Sequence, residues 1–493
     1  MALSPRKREA PRGLYTPNLW PVWLVAPVAL ILALLLGWGI YQYAYDYFAE
    51  AAADQKPAKP VNVNDVLKAT VTALTLIGAV LAGLYAYRKQ LLSEGDAHRA
   101  DASQLADRYT TAAEQLGHDQ AAVRLAGVYA LARLADDWKE QRQVCIDVLC
   151  AYLRMPYQSD STATDHKTGE REVRHTIIRV IRNHLQQPAD PLSWCAHTLD
   201  FTGATFDGGD FHSSHFRGEV HFCDAAFLGS VDFRQAEFSS GTVGFRGATF
   251  SGGTVDFSGA KFNGGALDYR STKFDGGMVD FSSARFSGGT VTFVGAAFSA
   301  GTVAFRGAQF DSMVNFGDAQ FNGGTVNFGT AEFHGDAVTF DSAAFSAGTV
   351  NFGGARFNGG MVEFHHSEFN GSTVNFGTAE FSNGTVNFGG ARFSAGTVDF
   401  GATSFSGGTV QFGAVQFNDG TVTFGAARFI DGTVTFGAAQ FNGGTVEFGA
   451  AQFSGGTVTF SRARFTAGTV DFGAALFSGT SFDWGPLPVP ASF

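Results

Sequence analysis

The sequence predicts a mainly β protein: a long β-solenoid, preceded by a two-helix transmembrane hairpin and a small α-helical module. Three observations predict it. From Phe245 to Phe477 one 12-residue phrase returns about twenty times, as in Phe388 to Asp399, where phenylalanines fall alternately five and seven apart. Two apolar stretches, Val22 to Ile40 and Val66 to Tyr87, lie near the start of the chain. Between them and the repeats, residues 96–185 show helical apolar spacing.

The repeat is extended rather than helical. Each phrase reads Val-x-Phe and then Ala-x-Phe, and a period of two puts both apolar side chains on one face of a strand. Gly, Ser, Asn and Asp fill the intervals, the residues that turn corners and tolerate positive φ. A helix needs spacings of three and four, and each Gly costs it roughly 1 kcal/mol. Twelve or twenty-four residues per coil both fit the spacing. Twenty-four is favoured, because four sides leave room for four Phe where a narrow coil must hold two. The 49 Phe and Tyr269 centres from Phe201 to Phe482 then make about twelve coils. At about 4.8 Å per coil that is roughly 57 Å.

Phe201, Phe206, Phe211 and Phe216 are spaced by five, the last three with a small residue two positions earlier, as in Ala204-Thr205-Phe206-Asp207-Gly208. This pattern resembles the pentapeptide-repeat family, which implies a right-handed four-sided β-helix. The seven-residue side departs from the pattern by two residues, commonly Gly-Thr (Gly396-Thr397), and predicts a longer corner there. Open ends of such an array need covers. Trp484, Pro486, Pro488 and Pro490 suit one end, since proline removes donors that would extend a sheet.

In chain order, residues 1–17 form a basic tail with Arg6, Lys7, Arg8 and Arg12. Residues 18–44 are the first predicted span, flanked by Trp20, Trp23, Trp38 and Tyr41, aromatics that suit bilayer interfaces. A cleaved signal peptide ending near Ala51-Ala52-Ala53 is the alternative, although the apolar run is long for one. Residues 45–65 form an acidic external loop, with Asp46, Glu50, Asp54 and Asp65 against Lys56 and Lys59. Residues 66–87 are the second span; Lys68 can snorkel to the interface, and Ala79 with Gly83 forms a small-residue pair that packs the two spans, the favoured reading, or a dimer. Basic flanks outside the pair, ending in Arg88-Lys89, place both chain ends in the cytoplasm of a multi-pass cell-membrane protein.

Residues 88–190 form the helical module. Val123, Gly127, Ala130, Leu131 and Leu134 share one face, Val144, Val148, Leu149 and Leu153 another, and Asp119 is placed as an N-cap. Pro156 to Glu170 reads as a polar connection, and Val173 to Leu185 as an amphipathic helix that caps the first coil. The run from Arg108 to Gly117, followed by Val123 to Leu131, resembles a module that precedes pentapeptide repeats in bacterial membrane proteins. The solenoid occupies residues 199–484 and a tail 485–493.

No catalytic, cofactor-binding or metal-binding residue is expected. The sequence has no Gly-x-Ser-x-Gly elbow, no phosphate loop and no His-Glu-x-x-His. His215 and His221 precede consecutive centres and so belong to adjacent sides of a four-sided coil; with His212, Cys223 and His365-His366 they read as polar surface. Cys145, Cys150, Cys195 and Cys223 have no paired spacing and read as free thiols. The Thr column (Thr397, Thr409, Thr421, Thr433) superficially resembles an ice-binding array, but stands beside Val as a single file.

The resemblance carries one sharper idea, since some pentapeptide-repeat proteins mimic duplex DNA and bind gyrase or topoisomerase. From Asp200 onward, however, 25 acidic and 13 basic residues leave a net charge of −12. A duplex about 57 Å long carries roughly 34 charges. Lys261, Lys273, Arg285, Arg356, Arg392, Arg428 and Arg464 interrupt any acidic face. No basic groove favours nucleic acid either. The outward positions before each first Phe sort into two columns, Asp256, Asp280, Ala304, Asn327, Asn351, Asn375, Asp399, Thr423, Glu447 and Asp471 in one and Asp268, Thr292, Asn315, Thr339, Glu363, Asn387, Gln411, Thr435 and Thr459 in the other, mostly acids, amides and Thr, which reads as a polar contact surface. The expected function is a non-enzymatic membrane-anchored scaffold with a lipid bilayer and an unidentified protein as its partners.

Overall fold

The computed structural model describes residues 22–54, 60, 62–160, 162–163, 167–239, 241–335 and 337–489. The basic tail, Trp20, Lys56, Lys59 and Pro490 lie outside the described residues. The chain divides into two compact units, Met1–Gln104 and Leu105–Phe493.

In the first unit, helix α1 runs over Val22–Ala53 and helix α2 starts at Val63, ending at Leu116 in the second unit. Among the described residues one helical stretch, Val63–Gln90, is long and apolar enough to cross a membrane. Its side chains are almost all exposed, including Leu76, Val80, Leu81 and Leu84. Thr70, Thr72 and Thr75 each donate to the carbonyl four residues earlier, which satisfies their hydroxyls within the helix. Among the described residues the contact expected between the spans at Ala79 and Gly83 does not form: both are exposed, and nothing lies within 4 Å of a Cβ built on Gly83. The helices approach instead at Gly37, whose Cβ would sit 3.4 Å from Leu74, near buried Val66 and Thr70. At 100° per residue, positions 66, 70 and 74 face one way and 79 and 83 the other.

In the second unit the end of α2 packs against α3 (Ala121–Asp137), followed by α4 (Arg142–Arg154) and α5 (Glu170–Leu185). Gly127 sets the crossing: a Cβ there would stand 2.6 Å from the Leu116 nitrogen, so only glycine lets the backbones approach this closely. Two sequence readings are corrected. The N-cap of α3 is Gln120, with no side-chain cap bond, because the helix starts one residue later than the Asp119 reading requires; the Asp119 backbone carbonyl accepts from the buried Arg124 guanidinium. The inner face of α4 is Cys145, Ile146, Leu149, Cys150 and Leu153, while Val144 is exposed, because both α3 and the first coil cover that face.

Three buried arginines, invisible to an apolar pattern, hold this module together. Arg142 donates to the Ala135 and Asp136 carbonyls at the end of α3, and Arg174 to the Tyr152 and Leu153 carbonyls at the end of α4. Arg124 pairs with Glu170, whose carboxylate also accepts from the Tyr152 hydroxyl. Helix C-termini leave carbonyls without intrahelical partners, and a guanidinium supplies several donors at once.

The repeats form a right-angled solenoid of about twelve turns in which all pairing is parallel. Strands of the first face (Leu199–Asp200 to Ser481–Asp483) make a 13-stranded sheet and those of the fourth (His215–Phe216 to Leu476–Ser478) a 12-stranded one. The second and third faces join into one 22-stranded sheet through the continuous strands Glu368–Asn375 and Arg392–Asp399. Register partners lie 24 residues apart through the regular repeats, as in Val326 opposite Val350, so the twelve-residue coil is excluded. The early coils are tighter, with Leu199 opposite Val220.

Four columns of buried rings fill the interior. Along one, Phe316, Phe340, Phe364 and Phe388 stack at 4.8 Å within 4° of parallel. The predicted longer corner is present on the seven-residue side. Its glycine is required by close approach: a Cβ on Gly348 (φ +77) would stand 2.5 Å from the Gly324 carbonyl oxygen one coil earlier. At the far end, Trp484 stacks 3.8 Å from Phe482, which stands opposite Val458 of the preceding coil.

Candidate interaction surface

The outward side chains are the surface on which any partner must act, and the corner geometry dictates most of them. In the first and third faces many of the residues after Val turn their side chains back on the corner. Asn327, Asn351, Asn375 and Asp399 accept from the backbone N–H two residues on, at 2.8, 2.9, 2.7 and 2.7 Å. Asn315, Asn387, Thr423 and Thr435 do the same. The columns expected as a polar contact surface exist in the expected register, as with Asn351 opposite Asn375. Their polarity, though, is first a backbone requirement. The oxygen satisfies a corner N–H, a role for Asn, Asp and Thr that no basic side chain can fill. Neighbouring amides also join across coils, Asn351 to Asn327 and Asn375 to Asn351, each at 3.2 Å.

On the other two faces opposite charges meet across coils at a few positions. On the fourth, Arg356 lies between Glu332 at 3.1 Å and Glu380 at 3.4 Å; on the second, Arg392 meets Glu368 at 3.2 Å. Arg234 and Arg270 each chelate the aspartate two positions earlier, Asp232 and Asp268. Burial alone would raise the Asp268 carboxyl, but the Arg270 hydrogen bonds hold it below the usual range. Much of the acidic charge of the rod is therefore locally neutralised.

The first coil is the most elaborately held part of the surface. Arg154 pairs with Asp200 and Arg182 with Asp210. Asp207 accepts from the Tyr157 hydroxyl at 2.6 Å, Arg171 Nε at 3.0 Å and His175 Nε2 at 2.9 Å. Burial would raise its carboxyl, yet these three partners bring it down to about 2. Arg174 adds a bond to the Thr205 carbonyl, and α5 packs on Gly209–Asp210, so the helix expected as a cap is one.

The histidines separate much as the spacing predicts. His215 lies on the fourth face beside Glu237 at 3.5 Å and His221 on the first beside Glu219 at 3.3 Å, while Cys223 approaches Gly244. Sequence spacing missed two groupings across coils that bring ligand atoms within 4.8 Å: Asp210, His212 and Asp232, and Asp341, His365 and His366. Stacking at one-coil intervals creates both, and the signal was there in the 24-residue separation of Asp341 and His365. Cys145, Cys150 and Cys195 are buried free thiols; burial pushes Cys145 up to about 11 and Cys150 to about 12, which leaves them unreactive at neutral pH.

With this geometry in view, one comparison with known proteins bears on the repeat. The family description "Pentapeptide repeats (9 copies)" matches residues 196–237 and 225–267, the early coils with the shortest spacing. No curated protein and no solved structure matches the chain. The chain thus carries pentapeptide repeats, and its solenoid continues the same coil through the longer 12-residue phrase.

Proposed function

We propose that the protein is a non-enzymatic, membrane-anchored scaffold whose solenoid presents a rigid polar surface to a protein partner in the cytoplasm. The observation that carries this reading is the division of apolar surface along the chain. Leu76, Val80, Leu81, Leu84 and Tyr85 of α2 are exposed together, whereas the solenoid keeps its ring columns inside. A continuous exposed apolar helix surface of that length suits a bilayer. In this reading α1 and the start of α2 form a two-span hairpin, and the resemblance of the helical module to those of bacterial membrane proteins supports the same arrangement.

Ring columns fill the interior and the corners are short and regular, so recognition by an extended face fits the solenoid better than catalysis. Mimicry of DNA fits less well. Duplex phosphates are uncompensated, while Glu332, Glu368, Asp232 and Asp268 each have an arginine within 3.2 Å. Reporter fusions test the anchor. Fusions after Tyr87 should report the cytoplasm and fusions after Asp54 the opposite side. A cytoplasmic report at both points would remove the hairpin, and an external report after Tyr87 would remove the cytoplasmic rod.

A further inference from the structure

The geometry points to a binding site for a divalent transition metal, of the zinc type, formed by Asp341, His365 and His366 on one corner of the solenoid. Asp341 and His365 occupy the same corner position on successive coils, held in register by the parallel pairing of Thr339 with Glu363 just before them. His365 Nδ1 lies 3.5 Å from Asp341 Oδ1, and the rings of His365 and His366 have centroids 3.7 Å apart. One ligand atom from each residue falls within 4.8 Å of the other two. Bonds of about 2.0–2.1 Å in a tetrahedron require ligand atoms about 3.4 Å apart, so small side-chain rotations bring the three into place. Imidazole with carboxylate is a donor set such ions favour.

The surrounding coils make room for the rings. At this corner most repeats carry Gly or Ala, and the next coil has Gly389 and Gly390. A Cβ on Gly389 would stand 3.4 Å from the His365 ring, and one on Gly390 2.7 Å from the His366 ring. The corner also holds His366 at φ +57, the left-handed conformation found at equivalent corner residues such as Ser342 and Ala402. That fixes the direction of its side chain relative to His365 without a dedicated loop. Three protein ligands leave a fourth position facing solvent. The other grouping is less suited to a cation, because Arg182 already engages Asp210 and Arg234 already chelates Asp232. It serves as the internal control.

The test is calorimetric titration of Zn²⁺ into the untagged full-length chain in nonionic detergent, with Co²⁺ absorption as a second readout. The expected result is one site per chain of micromolar or tighter affinity, with a visible Co²⁺ spectrum of tetrahedral intensity. His365→Ala and His366→Ala should each weaken binding at least about tenfold and Asp341→Asn several-fold, whereas His212→Ala leaves it unchanged. All four positions are surface-exposed or half-buried, and an unchanged melting temperature without metal establishes that each variant is folded. Binding only at millimolar Zn²⁺, retention of tight binding in the His365→Ala/His366→Ala double variant, or loss in His212→Ala would each overturn the assignment.

Discussion

Replacing Phe364 with Ala puts the ring columns to a quantitative test. Phe364 is fully buried in mid-array, stacked 4.8 Å from Phe340 on one side and 4.8 Å from Phe388 on the other, with Phe376 edge-on at 5.7 Å. Truncating a buried Phe to Ala costs roughly 3–5 kcal/mol, and the cost depends on how far the site can collapse. Collapse is opposed here. The neighbouring coils are tied by Phe340 N–H to the Glu363 carbonyl and Phe364 N–H to the Asn387 carbonyl, both at 2.7 Å, so the flanking rings cannot slide together. The loss should therefore fall in the upper half of that range. Glu363, one residue away, points outward and accepts a single bond from Asn387 at 2.8 Å. Its change to Ala should cost about 1 kcal/mol or less. Urea unfolding gives both values, and hydrogen exchange of the coils around residue 364 shows whether the damage is local, as a quasi-one-dimensional array implies. Equal losses at the two positions, or a larger one at Glu363, would refute the inward and outward assignment of the repeat.

Three further outcomes are expected. The Asp207 carboxyl, depressed to about 2 against about 3.9 for an unfolded chain, contributes stability that is complete above pH 4 and is lost as pH falls from 4 toward 2. Melting curves should show that loss, and Asp207→Asn should be less stable at neutral pH with a flatter acid limb; an unchanged acid limb would contradict it. Among the described residues the Tyr269 hydroxyl is buried without a hydrogen-bond partner, between Phe245 at 4.6 Å and Phe293 at 4.9 Å, so Tyr269→Phe should stabilise the solenoid by about 1–3 kcal/mol, and a destabilised variant would reveal a partner. The chain at micromolar concentration should leave gyrase supercoiling intact; strong inhibition abolished by salt would favour the DNA-mimic reading over the scaffold.

How much of this was legible in the sequence follows from what repeats. The inward set is, because Phe364 or Val350 recurs at a fixed interval and a period of two has one physical meaning for an extended chain. The covering helix Glu170–Leu185 and the separation of His215 from His221 onto adjacent sides were also legible, since both depend on local spacing alone. The coil size was narrowed by the room that four Phe need, but register across coils decided it. Contacts made once, between residues far apart in the chain, lay beyond the pattern. Arg142 and Arg174 look like surface residues until the carbonyls of helix ends are folded over them, and Arg124 until Glu170 and loop carbonyls are. The Ala79–Gly83 contact failed because a small-residue motif does not say which way a helix faces. The Asn and Asp columns were visible as letters, but not as caps on corner N–H groups. The sequence by itself determined the solenoid, since a periodic interior is written in every repeat. Tertiary structure alone decided what the outward side chains do, because their partners sit a whole coil away or on the backbone of a corner.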